Sequence, residues 1–181
     1  MQSCCALSAL VDSEECYDAP QCLDSTRWLI LRKLQDWADA DDNMSASIFW
    51  LKGGAGAGKS ALAQTFAERF KKNGKLAATF FFFRTDKLRN DGKKLILTII
   101  LQLAESFPDL RPPIEDNIRT NSLLFSKNRE TQVLELLLEP LHRLSLHDTA
   151  MSMSSRPRLI VIDGVSHRWI IIIIMQMISP F

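Results

Sequence analysis

SIFWLKGGAGAGKSALAQTFAERFKKNG, residues 47–74, carries a short apolar run into a glycine-rich loop and then into a helical repeat. Gly53, Gly58, Lys59 and Ser60 hold the fixed positions of GxxxxGK[ST], the P-loop pattern. Gly53, Gly54, Ala55, Gly56, Ala57 and Gly58 bear no side chain larger than a methyl, so main-chain N–H groups can curl around a phosphate unobstructed. The loop leads into a helix N-terminus, whose unpaired amides and positive dipole end favour the same anion. Lys59 supplies a cation for the outer phosphates, and the Ser60 hydroxyl suits a Mg²⁺ held between phosphate oxygens. A Gly/Ala linker would need neither flank. Here Ile48–Leu51 reads as a buried strand, and Ala61, Leu62, Ala63, Phe66, Ala67 and Phe70 recur at helical spacing until Asn73 and Gly74 stop the helix.

Length and charge bound the rest. At 181 residues the chain amounts to one domain with a sizeable core, and a net charge of +1 with no basic stripe argues against nucleic acid as the main partner. Lys71, Lys72 and Lys75 read as a solvated helix end. Cys4, Cys5, Cys16 and Cys22 form no CxxC pair and no metal-like cluster with His, so they read as reduced thiols of a cytoplasmic protein. The N-terminus lacks the cationic start of a signal peptide. The isoleucine-rich run Trp169–Ile178 is ten residues long, half of the about 20 that a bilayer span takes.

Taken in order, residues 1–21 show no sustained period and are expected to form a flexible lead. Asp24, Ser25 or Thr26 is placed to cap a helix bearing Trp28, Ile30, Leu31, Leu34, Trp37 and Ala38, ended by DADDN at 39–43. LAATFFFFR, residues 76–84, predicts a strand buried on both faces. Residues 92–106 predict an apolar helix limited by Pro108, and Pro112 and Pro113 punctuate the way to a short segment at 114–119. Residues 130–144 predict an amphipathic helix that Pro140 kinks or ends. A polar loop at 145–158 precedes LIVID, residues 159–163, a third buried strand with Asp163 at its C-terminal end. An apolar run ending in Asp downstream of a P-loop is the Walker B arrangement, and assigns Asp163 with Ser60 to the magnesium side.

These stretches together resemble a known family, the NACHT-type NTPase domain of STAND signalling proteins, in the nephrocystin-like form abundant in fungi. CLDSTR at 22–27 is similar to that family's opening CxxGTR motif with Ser25 in place of glycine, and IFWLKGGAGAGKSALAQTFAE at 48–68 is close to its P-loop region. LAATFFFFR, LQLAESFPDLRPPI at 101–114 and QVLELLLEPL at 132–141 follow in the family's order. The resemblance implies an α/β fold, a three-layer P-loop NTPase sheet of mostly parallel strands between helices. It also implies a nucleotide-driven signalling switch that holds ATP or GTP with Mg²⁺, places Thr26 and Arg27 on the base side, and couples to self-association or to related NACHT proteins.

The departure lies at the end of the chain. The family's D[GAS]hDE has a second acidic pair that orients the hydrolytic water; Ser166 and His167 stand there instead, after Asp163, Gly164 and Val165. A neutral Ser is no base near pH 7, so hydrolysis is expected to be weak or absent. The expected organisation is a lead at 1–21, a NACHT-like domain at 22–165, and a divergent apolar tail at 166–181 that leaves the sheet incomplete, as in a truncated reading of a longer gene. About five residues separate the isoleucine run from Asp163, too few for a parallel crossover. The run therefore either pairs antiparallel through a tight turn or stays exposed. A rival reading is a non-hydrolysing interaction or decoy module that associates with full-length relatives. A small-molecule kinase, which needs lid arginines over the phosphates, finds only scattered Arg111, Arg119 and Arg129.

Overall fold

The computed structural model describes residues 4–17, 21–23, 26–40, 48–90, 92–145, 158–166 and 169–174. Asp24, Ser25, His167, most of the 145–158 loop and residues 175–181 lie outside them. Their elements are α1 (Glu14–Tyr17), α2 (Trp28–Asp39), β1 (Ile48–Lys52), α3 (Lys59–Lys72), β2 (Leu76–Phe81), α4 (Leu95–Ser106), α5 (Arg111–Thr120), a helical run in three parts, then β3 (Leu159–Ser166) and β4 (Trp169–Ile174).

One four-stranded sheet, in the order β1-β4-β3-β2, organises the molecule. β2 and β3 pair in parallel, and β4 pairs antiparallel with both β1 and β3. β1, β2 and β3 therefore point one way and β4 the other. The isoleucine run takes the antiparallel alternative and becomes an interior strand, inserted between the two strands that flank the candidate site. Ser166 pairs with Trp169, so the return is tight, and no crossover is needed.

Both faces are covered by helices, which is why β2 and β3 are continuous apolar runs rather than alternating ones. On one face Phe81, Leu159 and Val161 pack with Leu31, Leu34, Leu62, Phe66 and Phe70 of α2 and α3. On the other, Ala78, Phe80, Ile160 and Ile162 pack with Leu97, Ile100 and Leu103 of α4, and with Ile114 and Leu136 beyond it. The architecture is α/β, with a mixed sheet.

The two outer strands meet different fates. The edge of β2 is covered: the Gln102 side chain of α4 accepts from Thr79 N (2.9 Å) and donates to Thr79 O (2.8 Å), and Ser106 Oγ donates to Ala77 O (2.8 Å). The strand ends at Phe81, so Phe83 is exposed and carries the Arg89 guanidinium over its ring instead. β1 corrects the expectation of a buried strand. Its burial alternates, with Ile48 45% and Trp50 55% exposed while Phe49 packs on Trp37. An edge strand with one covered face has half of its side chains in water, whatever their polarity.

Residues 4–17 differ from the expectation of a flexible lead. Cys5, Ala6, Ala9, Val11 and Cys16 are buried. Ala6 N donates to Thr98 Oγ1 (2.9 Å) and Val11 N to Thr79 Oγ1 (3.0 Å), tying the segment to α4 and β2. The buried Arg89 donates to Ser8 O (2.9 Å) and reaches Cys16 Sγ (3.3 Å). Its Nε approaches Asp86 Oδ2 at 2.8 Å as an ion pair, off the axis of a good hydrogen bond. The four cysteines are thiols, with no disulfide.

Three prolines are absorbed rather than obeyed. Pro112 and Pro113 lie in the first turn of α5, where a missing N–H costs nothing. The helix from Arg129 continues through Pro140 to Ser145: α6 (Arg129–Val133) passes into a π turn at Leu134–Leu138 and then α7 (Glu139–Ser145). The wider turn just before Pro140 relieves the ring's clash with the preceding turn.

Candidate functional site

The site is built where the pattern of the sequence changes from strand to helix. β1 ends at Lys52, the loop spans residues 53–58, and α3 starts at Lys59. Gly56 and Gly58 sit at φ 73° and 70°, a region open to glycine at no steric cost. Gly58 is the N-cap of α3 and no side chain caps that helix. Its first amides have no carbonyl four residues back, as in any helix. Within the loop Ala57 N donates to Gly54 O (3.3 Å).

Lys59 folds back over the loop it follows. Its stem lies along Gly53, and its Nζ donates to Gly54 O at 2.8 Å. Ser60, one residue on, has its hydroxyl near enough to the Asp163 carboxylate to favour that group's charged form. Sequence distance between the two exceeds a hundred residues; the sheet removes it. Leu51, Ile170, Asp163 and Phe81 form one row across β1, β4, β3 and β2, so Asp163 stands level with the last residues before the loop. This row is at the C-terminal ends of the three co-directed strands, the end at which open α/β sheets place their ligands.

Asp163 is 6% exposed. Burial pushes its carboxyl above the ordinary carboxylate range, while the Ser60 hydroxyl, the Lys59 charge and the Gly164 N–H pull it part of the way back. Gly164 follows at φ 86°, and a Cβ there would stand 2.9 Å from Phe82 Cβ. The chain thus turns off β3's partner only because this residue is glycine.

Thr26 and Arg27, adjacent in sequence, go to different places. Thr26 Oγ1 donates to Leu23 O (2.7 Å) at the surface, and caps nothing. Arg27 is the N-cap of α2 with φ 56°, and its guanidinium lies on Gly58, 3.0 Å from where a Cβ would be. A second cation therefore flanks the loop beside Lys59. The sequence names Arg27 only through the family resemblance, on the base side, and not as a neighbour of Gly58. The left-handed backbone of Arg27 is not readable from residue type.

Among the described residues no group of three or more His, Cys, Asp or Glu gathers as a metal cluster. The oxygen donors at the loop are the Ser60 hydroxyl and the Asp163 carboxylate. Among the same residues no helix is long and apolar enough to cross a membrane.

A family model described as Nephrocystin 3, N-terminal matches residues 24–166. No curated protein and no solved structure matches the chain. The matched span starts just before Arg27, contains the loop and α3, and ends with β3, so it takes in every residue of the site and well over half of the sequence. The chain belongs to the nephrocystin 3, N-terminal family.

Proposed function

We propose that the chain is a nucleoside-triphosphate-binding domain of the NACHT type, holding ATP or GTP with Mg²⁺ at the P-loop of residues 53–60 and turning it over weakly or not at all. The observation that carries this reading is the meeting of Lys59, Ser60 and Asp163 beside a loop with no side chain larger than a methyl.

Mg²⁺ takes hard oxygen donors, commonly one or two from the protein, with water and phosphate completing the shell. The Ser60 hydroxyl and the Asp163 carboxylate fit that role, and the desolvation that raises Asp163 is offset once a cation lies against it. Bound there, Mg²⁺ would neutralise charge between the outer phosphates. The chain's own residues do the rest. Gly53 to Gly58 would face the phosphates with main chain, Lys59 would exchange the Gly54 carbonyl for a phosphate oxygen, and Arg27 would add charge on the flank of the loop. Ser166 stands where a water-orienting carboxylate would be needed, which favours binding without efficient turnover.

Isothermal titration with ATP tests the reading. Wild type is expected to bind in the presence of Mg²⁺, and Ser60→Ala or Asp163→Asn to weaken that binding about tenfold or more, a loss of one charge-assisted contact. In EDTA the variants and wild type should converge. Failure of folded wild type to bind either ATP or GTP overturns the proposal.

One observation favours the rival association module: Ile48 and Trp50 are exposed on an edge strand, a template for another chain. Size-exclusion chromatography separates the two, since self-association indifferent to nucleotide supports the module and a nucleotide-dependent shift supports the switch.

A further inference from the structure

A cavity of about 390 Å³ lies between α2 and α3, within the size range of small-molecule sites. Its walls are two matched helical stripes, Trp28, Arg32 and Gln35 from α2 and Thr65, Arg69 and Lys72 from α3, each at i, i+4 and i+7. The charges do not balance. Among the described residues three cations line it against one carboxylate, Glu68, which is already engaged: its Oε1 accepts from Gln21 Nε2 (2.8 Å) and Gln64 Nε2 (3.0 Å). Arg69 and Lys72 have no ion-pair partner among the described residues, and Arg32 has only a 3.9 Å contact with Asp36, both side chains 70% exposed. Like charges gathered without a counter-charge repel one another, and an anion between them removes that cost. Beside them Trp28 presents an indole that is 55% exposed.

We infer that this groove binds a small phosphate monoester carrying a planar ring, its phosphate between Arg69 and Lys72 and its ring on Trp28. A monoester near pH 7 carries close to two negative charges, matching the surplus. Arginine takes phosphate oxygens through paired N–H donors, and an indole offers a flat face to a ring. The site is distinct from the glycine-rich loop: at 1.5 Å per residue, Arg69 and Lys72 lie about 15–20 Å along α3 from Lys59. The inference does not rest on nucleotide binding at the loop.

The test is isothermal titration of phenyl phosphate, and of inorganic phosphate, into the full chain. Wild type is expected to bind phenyl phosphate saturably, about fivefold more tightly than inorganic phosphate. Arg69→Glu with Lys72→Glu should weaken it about tenfold or more, Trp28→Ala should erase the preference for the ring, and Lys59→Ala, which acts at the loop, should leave binding in the groove in place. Trp28, Arg69 and Lys72 are exposed, so folding is retained and is checked by circular dichroism. The inference is overturned if folded wild type does not bind, if the charge-reversed protein binds equally well, if the two phosphates bind alike, or if Lys59→Ala abolishes binding and so places the anion at the loop. Loss of ATP binding at the loop, with phenyl phosphate binding intact, would leave the groove standing.

Discussion

Gly164 carries a constraint that its neighbours do not. At φ 86°, with Phe82 Cβ 2.9 Å from any added methyl, substitution imposes both backbone strain and a collision with a covalently fixed atom. Gly164→Ala is expected to cost about 1–3 kcal/mol, read as a lower urea midpoint with an unchanged slope. Asp86 gives a second residue-scale outcome. The Leu88 N–H, the Ser8 hydroxyl and Arg89 hold its carboxyl below its ordinary value of 3.8. A depressed carboxylate contributes stability that is complete above the unfolded value and is lost as pH falls through the folded one. Urea midpoints taken from about pH 5 to about pH 2 should therefore fall more steeply in wild type than in Asp86→Asn; parallel curves would contradict the assignment. At this scale the sequence was readable for the loop, because GxxxxGK[ST] fixes spacing as well as residue type. It named Arg27 only through the family resemblance, on the base side; the reach of its guanidinium to Gly58 depends on a left-handed backbone that no propensity favours.

Among the elements, β2, β3, α3 and α4 were legible because apolar runs of those lengths have one good use, burial under helices. β1 was misread for the same reason: four apolar residues look alike in a central strand and at an edge, and only the neighbour set separates them. For β4 the short connection excluded a parallel crossover and left an antiparallel return or an exposed run, and its slot between β1 and β3 depends on pairing that no local pattern encodes. That slot makes a prediction. Every backbone N–H of an interior strand bonds to one neighbour or the other, whereas in an edge strand alternate N–H groups face outward. Proline scanned through Ile170 to Ile173 should destabilise at each position by about 1–3 kcal/mol or more per lost bond. The same scan through Phe49, Trp50 and Leu51 should alternate between tolerated and damaging. Uniform tolerance in β4 would remove it from the interior of the sheet.

Across the whole molecule, the N-terminal segment acts as a strap. It joins α4 through Thr98, β2 through Thr79 and the 82–90 turn through Arg89, contacts between residues some seventy to ninety positions apart. No periodicity marks it, since its small residues, cysteines and Val11 fill gaps rather than form a face. Removing residues 1–17 should cost several kcal/mol, because it uncovers Thr79 and Arg89, and breaking buried polar partners costs about 1–3 kcal/mol each. A truncated chain as stable as the whole would restore the flexible lead. The strap, the covered β2 edge and the return of β4 all fix β3, and β3 delivers Asp163 to Ser60.

The most direct test of the account is thermal unfolding of wild type and Lys59→Ala with and without ATP and Mg²⁺. A ligand at about a thousand times its Kd stabilises the folded state by about 4 kcal/mol. Wild type should therefore melt several degrees higher with ATP and Mg²⁺, and Lys59→Ala should melt at one temperature in both conditions. An unshifted wild type, or an equal shift in the two proteins, would contradict the claim that residues 53–60 grip a polyphosphate.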